Sequence, residues 1–339
     1  MKGPVFIVGN SRSGTTMMMR IMDMHPQVHS INEPHFFDSM WSPEDEGKSL
    51  EKREAEQVLL KLFTGQRAGF FEKVEDHRRS YQAEVDSILG QWPSEKRLSR
   101  SELFSIFLFY ETKKQGKSIP CEKTPQNIFY IPEILRLFPD ARIVHMIRDP
   151  RGTMLSQKNK WKRRALGAHF MTKKEILRLR VNYHPITMSK LWVAAIRAGD
   201  SHSQLPEVLE VRFEDLLKDP ELTAKMICAH AGIDFDPIML QIPHAGSSLE
   251  ADNSSELGIR QKKKKTWQEK GLSDVEIHLC QSICAAAMQH HSYEAVPVSP
   301  SFLGLAYSYI SFPIKLMGAL LLNLNRMRSL LDTLKRRLS

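Results

Sequence analysis

The segment VFIVGNSRSGTTMMMRIMDMHPQV, residues 5–28, constrains the fold of this 339-residue chain more than any other. An apolar run, Val5 to Val8, meets a polar turn that carries Gly9 and Gly14, and residues that favour a helix follow. Strand, glycine-bearing loop and helix together form a phosphate site, with loop amides and the positive helix end facing the anion. The triphosphate form of this loop reads G-x-x-x-x-G-K-[ST]. Here Thr15 stands in place of the lysine, so the loop predicts a different anion.

Segments with strand and helix patterns alternate through the first 231 residues. A short strand is predicted at 28–31 and a buried one at 141–150, while 118–127 reads as a strand that runs into a loop and 207–217 as a strand followed by a turn. This alternation predicts an α/β fold, here a P-loop-like three-layer arrangement with a central, mostly parallel sheet flanked by helices. Ligands of such sheets bind off the carboxyl ends of the strands. Polar clusters fall at four such ends: Asn10–Thr16, Asn32–Glu33, Glu122–Thr124 and Arg148–Arg151.

The apolar spacing between the strands predicts several helices. One is an apolar helix from Ser101 to Thr112 with Ser101 as its cap, and another helical stretch covers 173–200. The segments that carry motifs end before residue 295. The sequence therefore predicts one domain over 1–295 and a C-terminal tail over 296–339.

Charge separates the tail from the body. The formal net charge is +9, and residues 301–339 hold six Lys or Arg against Asp332, which is +5 of that total. The remaining +4 suits an anionic ligand better than a broad nucleic-acid footprint, so no nucleic-acid partner is expected. Cys280 and Cys284, one helical turn apart, are expected to pack on a helix face rather than bind a metal. No leader is recognisable before the first strand, which predicts a cytoplasmic protein.

The polar clusters at the strand ends are mostly cationic. A kinase or GTPase would need the loop lysine and an acidic metal ligand at the end of a later strand. Asp149 is the best candidate for that ligand, but Arg148 and Arg151 flank it, which disfavours a metal. The transferred group should be one that enzymes move without magnesium. A sulfuryl group fits, because Arg and Lys side chains alone could neutralise the charge that develops on it.

Four motifs in order, SRSGTT, EKTPQN, RDPRGTMLSQ and VRFEDLLKDP, resemble the sulfotransferase superfamily that uses 3′-phosphoadenosine 5′-phosphosulfate (PAPS). The resemblance covers about residues 4 to 295. Arg12 makes the chain more similar to the tyrosylprotein and bacterial members than to the cytosolic hormone-type members, which have lysine there. The resemblance implies a PAPS-dependent sulfotransferase that requires no metal.

The resemblance also implies roles for the matched residues. Lys123 matches the lysine that stabilises the bridging oxygen of the leaving group, and Arg12 would supply charge beside it. Arg148 and Ser156 match the pair that grips the 3′-phosphate of the nucleotide. The backbone and hydroxyls of the first loop would cradle the 5′-phosphosulfate: Ser11, Ser13, Gly14, Thr15 and Thr16.

The basic run RQKKKKTWQEKG, residues 260–271, matches the region that closes over the nucleotide in the family. Arg260 and one or more of Lys262–Lys265 would touch the 3′-phosphate, and Trp267 would anchor the loop. A solvated run of surface charge is the alternative interpretation.

The general base is expected to be Glu33. In the cytosolic members a catalytic histidine lies two residues after the lysine, and here that position is Pro125. Glu33 lies 21 residues after Arg12, where the tyrosylprotein-type enzymes carry their catalytic glutamate. A glutamate among cations should have a lowered pKa and stay ionised. His35 and His25 are rival bases, and the alternative role for Glu33 is to neutralise Arg12 or cap a turn.

Residues 301–339 are predicted to form an amphipathic helical tail. Leu and Met residues from Ile314 onward line one helical face, and basic residues lie away from it. This pattern predicts binding to an anionic membrane surface, with the protein peripheral at the inner face of a membrane. Packing on the body or on a second subunit of a homodimer is the alternative. Pro313 and Lys315 disfavour a spanning helix.

Two other functions stay open at this point. One is a P-loop nucleotide kinase or NTPase, and the other is a non-catalytic, membrane-associated nucleotide-binding protein. The acceptor hydroxyl or amine is not identified by the sequence, since the segments that shape its pocket are too generic to distinguish a sugar, lipid, phenol or peptide. Binding of the tail to a membrane would favour a lipid or glycan acceptor. Residues 38–120 and 160–200 are expected to shape its pocket.

Overall fold

Five parallel strands form the central sheet of the protein in a computed structural model. The structure describes residues 2–69, 72–92, 97–168, 171–244, 250–260, 266–269 and 271–323. The strands are β1 (Val5–Gly9), β2 (Val28–Asn32), β3 (Ile119–Lys123), β4 (Arg142–Ile147) and β5 (Val208–Arg212). Their order is β2-β3-β1-β4-β5, and each neighbouring pair is parallel. The predicted parallel sheet is confirmed.

Helices connect the strands and cover both faces of the sheet. Up to β5 they are α1 (Thr15–Asp23), α2 (Phe36–Ser39), α3 (Lys52–Arg67), α4 (Val74–Leu89), α5 (Arg100–Lys114), α6 (Ile131–Leu137), α7 (Pro150–Lys158), α8 (Lys173–Asn182) and α9 (Pro185–Asp200). After β5 come α10 (Phe213–Lys218), α11 (Pro220–Ala231), α12 (Thr266–Glu269), α13 (Asp274–His290) and α14 (Phe302–Leu321), with a hairpin of β6 (Pro243–His244) and β7 (Asn253–Leu257). Single 3-10 segments lie at Pro43–Asp45, Pro125–Tyr130, Lys160–Leu166 and Pro237–Leu240.

Two hydrophobic cores lie on opposite faces of the sheet. Successive β1 side chains alternate between the faces, so Phe6 and Val8 join one core while Val5 and Ile7 join the other. The first core includes residues of α3 and α5, and the second includes residues of α1 and α11. The three-layer α/β fold predicted from the alternating segments is therefore confirmed.

Two helix boundaries differ from the predictions. Helix α5 begins at Arg100 and is capped by Ser99, whose Oγ accepts a hydrogen bond from the amide of Glu102, so the predicted cap at Ser101 is wrong. The predicted helical stretch 173–200 is two helices. It breaks at His184, which is extended (φ −151°, ψ 135°), because a residue before proline avoids the helical region.

The tail begins with a helix. Pro313 lies inside α14, which runs from Phe302 to Leu321. Of the predicted stripe, Leu320 lies within the described residues, and its side chain is only 8% exposed. The rest of the predicted stripe, and its basic residues, fall within 324–339, outside the described residues. The domain boundary at 295 remains a prediction.

Candidate active site

Two glycines shape the loop between β1 and α1. Gly9 has φ 142°, and a Cβ there would lie 2.4 Å from the carbonyl oxygen of Met146 on β4. Gly14 has φ 94°, and a Cβ there would lie 2.3 Å from the ring of Phe213. Both positions therefore exclude a side chain for two reasons, the left-handed backbone and the close neighbour. The loop is held tightly against β4 and α10 at the carboxyl end of β1.

The side chains of this loop fit an anion. Ser13 is fully buried, and its hydroxyl has no hydrogen-bond partner within the part of the chain that the structure describes. A buried hydroxyl without a partner is costly, so a ligand or water is expected to satisfy it. Thr15 is also buried, and the first turn of α1 carries no acidic residue that would repel an anion. Ser11 and Thr16 lie half-buried beside them.

Arg12 links this loop to α7. Its backbone is left-handed, with φ 74°. Its Nε donates a hydrogen bond to the Oγ of Ser156 at 2.8 Å, and Nη1 of Arg148 donates to its carbonyl oxygen at 3.0 Å. The structure thus brings together Arg12, Arg148 and Ser156, although Arg148 follows Arg12 by 136 residues and Ser156 follows it by 144.

Two guanidinium groups are crowded at this place. Arg148 lies between Gly152 and Phe213, with its Cζ 4.5 Å from the centre of the Phe213 ring. Burial lowers the pKa of Arg148, although Glu214 and Asp149 oppose the change. Burial and the charge of Arg148 lower the pKa of Arg12 to about 10. Because these cations repel each other, a bound anion would stabilise them.

Glu33 and Lys123 form an ion pair at the ends of β2 and β3. The parallel register places Asn32 beside Lys123, and the amide of Glu33 donates to the carbonyl oxygen of Lys123 at 2.9 Å. The Nζ of Lys123 donates to Oε1 of Glu33 at 2.5 Å. Lys123 is only 2% exposed, whereas Glu33 keeps 41% of its side chain accessible. The carboxylate is therefore both held in place and reachable by a substrate.

His35 is the second partner of Glu33. Its Nδ1 lies 3.0 Å from Oδ2 of Asp38, and its Nε2 lies 3.7 Å from Oε2 of Glu33. Burial would lower the pKa of His35, but the bonds to Asp38 and Glu33 outweigh it and raise that pKa to about 9. Burial would likewise raise the pKa of Glu33, but His35 and Lys123 hold it well below its usual value. At neutral pH Glu33 is ionised and His35 is protonated, which disfavours His35 as a base.

The backbone at Glu33 and His35 is unusual. Both residues are left-handed, with φ 50° and 53°, on either side of Pro34. Such non-glycine conformations cluster at functional sites, where the surrounding contacts hold them. The predicted rival His25 lies elsewhere, because its Nε2 is 3.0 Å from the carbonyl oxygen of Asp234.

Lys160 is a site residue that was not predicted. It begins the 3-10 segment Lys160–Leu166, two residues after α7 ends. Burial and the charge of Arg12 lower the pKa of Lys160 to about 8, although Glu33 opposes the change. Lys160 is thus electrostatically coupled to both sides of the crevice. The predicted pocket segment 160–200 includes Lys160, but nothing in the sequence distinguishes it from the other basic residues of that run.

Asp149 has a structural role. Its two carboxylate oxygens accept hydrogen bonds from Nε and Nη2 of Arg151 at 2.9 and 2.8 Å. The Cζ of Arg151 lies 4.1 Å from the centre of the Trp267 ring, and Trp267 is buried as an anchor should be. Because both carboxylate oxygens are engaged by a cation, Asp149 is a poor metal ligand.

Arg260 is not brought to the crevice by its described contacts. Its guanidinium pairs with Glu256 and lies 3.8 Å from Glu250, and 48% of its side chain is exposed. Its predicted contact with the nucleotide stays a prediction. The predicted contacts of Lys262–Lys265 lie outside the described residues.

One possible metal-binding group occurs within the described ranges. Asp200, His290 and His291 bring one ligand-type atom each within 4.8 Å of one another. Asp200 ends the helix that leads to the amino end of β5, whereas the crevice lies at the carboxyl ends of the strands. The prediction that the reaction needs no metal remains untested.

The sulfotransferase family profile matches residues 4–237, well over half of the chain and all four strand ends described above. The chain belongs to the sulfotransferase family. This finding confirms the resemblance seen in the motifs. The matched range includes Arg12, Glu33, Lys123, Arg148 and Ser156.

Several known proteins are similar to this chain. The sulfotransferase domain from the curacin biosynthetic pathway is 18% identical, covers 87% of this chain and 99% of its own, and has a TM-score of 0.50. The sulfotransferase domain from the Synechococcus PCC 7002 olefin synthase is 19% identical, with coverages of 84% and 96% and a TM-score of 0.46. A Caenorhabditis briggsae protein named "Putative protein-tyrosine sulfotransferase" is 25% identical over 157 residues, 45% of this chain and 41% of that protein. The chain thus matches less than half the length of this relative.

Proposed function

We propose that this protein transfers a sulfuryl group from PAPS to a hydroxyl or amine of an acceptor. The observation that carries the proposal is the contact between the β1–α1 loop and α7, in which Arg12 bonds to Ser156 and Arg148 bonds to Arg12. The family assignment and the lysine-free loop support the same donor. A triphosphate would call for a lysine that this loop lacks.

The donor would lie along the loop and α7. Ser11, Ser13, Gly14, Thr15 and Thr16 would hold the 5′-phosphosulfate, and the buried, unpartnered hydroxyl of Ser13 supports this assignment. Arg148 and Ser156 would hold the 3′-phosphate as a charge-assisted pair. Arg260 would add charge from the closing loop.

The transfer would occur between Glu33 and Lys123. The acceptor oxygen or nitrogen forms a bond to sulfur while the bond from sulfur to the 5′-phosphate oxygen breaks, and the acceptor proton passes to Glu33. Lys123 and Arg12 would neutralise the charge that develops on the leaving phosphate. The accessible, ionised carboxylate of Glu33 and the buried cation beside it support these roles.

Nucleotide binding tests the donor assignment. Adenosine 3′,5′-bisphosphate should raise the melting temperature of the protein without magnesium, and ATP should raise it far less. Equal stabilisation by the two nucleotides, or stabilisation only with magnesium, would support a kinase or NTPase instead. Labelled PAPS supplied with panels of lipids, glycans, phenols and peptides should then label one acceptor class. Bisphosphate binding without any transfer would support a non-catalytic nucleotide-binding protein.

The location of the protein is part of this proposal. We infer a cytoplasmic protein that binds an anionic membrane surface peripherally through residues 301–339, and a homodimer is compatible with it. Within the described residues one helix, Phe302–Leu321, is long and apolar enough to cross a membrane by length and composition. Only 17% of its most apolar window is buried against the body, which supports contact with another phase or molecule.

A further inference from the structure

Helix α14 exposes a continuous apolar stripe. Its members are spaced four, three, four, three and four residues apart, which places them on one face of a helix. Each of them is at least 60% exposed. They are Leu303, Tyr307, Ile310, Ile314, Met317 and Leu321. Aliphatic residues with an aromatic one, Tyr307, among them are typical of a helix face that enters a membrane interface.

The opposite face of α14 is attached to the body along its length. Gly304 lies against Val275 of α13, because a Cβ added to Gly304 would be only 2.8 Å from the Val275 side chain. Gly318 lies against Val181 of α8, where an added Cβ would be 3.1 Å from the Val181 side chain. Between these points the Oγ of Ser311 lies 3.4 Å from Nε2 of His184. Both ends and the middle of α14 contact the body. The helix could therefore cross a bilayer only if it detached from the body. A helix attached in this way can only lie flat on a membrane.

Polar groups of α14 face the body. Ser308 is buried, and its hydroxyl donates to the carbonyl oxygen of Gly304. Asn323, just after the helix, is also buried and donates to Asn182 at 2.7 Å. The Nζ of Lys315 lies 3.5 Å from the carbonyl oxygen of Arg180. The helix buries Ala319 and Leu320 near its end, but a continuous apolar face points outward, unlike that of a helix in a soluble core.

A basic segment flanks the helix. Residues 158–180 contain nine Lys or Arg and one Glu, a net charge of +8. Some of these cations are paired, such as Arg163 with Asp252, but five are exposed. The exposed five are Lys162, Arg164, Lys173, Lys174 and Arg180. The Cζ of Arg180 lies 4.0 Å from the centre of the half-exposed Trp161 ring, so a cation and an aromatic side chain lie next to the apolar helix.

We propose that α14 and the exposed cations of residues 158–180 form one docking surface that lies flat on an anionic lipid bilayer. The apolar stripe would enter the boundary between headgroups and acyl chains, and the cations would contact the anionic headgroups. This inference deepens the proposed membrane association, because it identifies a surface and an orientation within the described residues. It does not depend on sulfuryl transfer. The segment that supplies the cations begins at the last residue of α7, and Ser156 of the same helix bonds to Arg12 at 2.8 Å. Docking would therefore bring the crevice close to the membrane.

Vesicle sedimentation with the full chain tests this surface. Wild-type protein should sediment with phosphatidylcholine vesicles that contain about 30% phosphatidylserine, and high salt should reduce that binding. The double variant Ile310→Glu/Ile314→Glu should bind at least about tenfold more weakly, because the stripe loses its apolar burial. Lys173→Glu/Lys174→Glu should weaken binding by at least about tenfold, because each substitution replaces a positive charge that attracts the anionic headgroups with a negative charge that repels them. Leu222→Glu is the matched control, since Leu222 is 55% exposed on α11, away from the stripe, and should leave binding unchanged.

The vesicle experiments have separate outcomes that would contradict membrane association, the flat orientation or the lipid as the occupant of the stripe. Wild-type protein that stays in the supernatant would refute membrane association altogether. If the Ile310→Glu/Ile314→Glu variant still sedimented with vesicles as wild type does, the flat docking surface would be refuted. It would also be refuted if wild-type protein stayed with the vesicles during an alkaline carbonate wash, as proteins that span the membrane do. If wild-type protein were a dimer in vesicle-free buffer and the Ile310→Glu/Ile314→Glu variant were a monomer, the stripe would be a subunit interface. The melting shift with adenosine bisphosphate, measured on each variant, shows that the body is folded and tests the donor site independently.

Discussion

Lys123 and Glu33 are bonded at 2.5 Å across the β2–β3 pair, although they are 90 residues apart in the chain. The lysine is buried and the carboxylate is half accessible, so the cation holds the carboxylate at the mouth of the crevice. This pair therefore gives the first prediction.

Glu33→Gln should retain nucleotide binding but lose turnover. The amide keeps the shape of the carboxylate but cannot accept the acceptor proton, so the transfer rate should fall at least about a hundredfold. Bisphosphate binding, measured by calorimetry, should stay close to wild type. Glu46→Gln is a control because Glu46 is a half-exposed surface residue paired with Arg136. A Glu33→Gln rate within a few-fold of wild type would exclude Glu33 as the base.

Arg148→Ala should weaken binding of adenosine 3′,5′-bisphosphate. Charge-assisted hydrogen bonds contribute about 1.5–3 kcal/mol each, so the dissociation constant should rise by roughly 10–150-fold. Arg142→Ala is the matched control, because Arg142 lies at the opposite, amino end of the same strand. It should leave the dissociation constant unchanged. Similar losses from both variants would show that the effect is general destabilisation rather than loss of a phosphate contact.

The stability contributed by His35 should depend on pH. Folding raises its pKa from an ordinary value near 6.5 to about 9, so protonated His35 stabilises the fold fully below pH 6.5. This contribution is lost as the pH rises through 9. The difference in unfolding free energy between wild type and His35→Asn should therefore shrink between pH 6.5 and 9.5. Asparagine is chosen because it tolerates the left-handed backbone at this position. A difference that stays constant over this range would contradict the assignment.

Gly9→Ala should destabilise the protein more than Gly116→Ala. Both glycines have a positive φ, and the left-handed conformation alone costs an alanine about 1–2 kcal/mol. At Gly9 the new Cβ would also lie 2.4 Å from the backbone oxygen of Met146, whereas at Gly116 nothing lies within 4 Å. Overpacking of this kind adds about 1–3 kcal/mol. Urea unfolding of the two variants measures the difference, and equal losses would show that the loop can move away from β4.

The amino-acid sequence by itself determined the sheet and the place of the crevice. The alternation of apolar strands and helices predicts a parallel sheet, and the polar residues that end each strand predict where a ligand binds, because both depend on local spacing. The polar clusters that contain Gly14, Glu33, Lys123 and Arg148 follow from this spacing, whereas the pairing of Arg148 with Ser156 and the roles of Glu33 and Lys123 come from the resemblance to the family. Their agreement with a sulfotransferase motif pattern is then confirmed by the family match.

Only the tertiary structure decided which of these side chains touch and which surfaces stay exposed. The bond from Arg12 to Ser156, the protonated partner His35 beside Glu33, and the coupling of Lys160 to Arg12 depend on packing between segments far apart in the chain. Proline normally breaks a helix at a cost of about 3 kcal/mol. Helix α14 continues through Pro313 because residues on both sides of it, Ser308 and Ala319, are buried against the body. Local spacing predicts an amphipathic tail, but only the contacts with the body determine that its apolar face points outward.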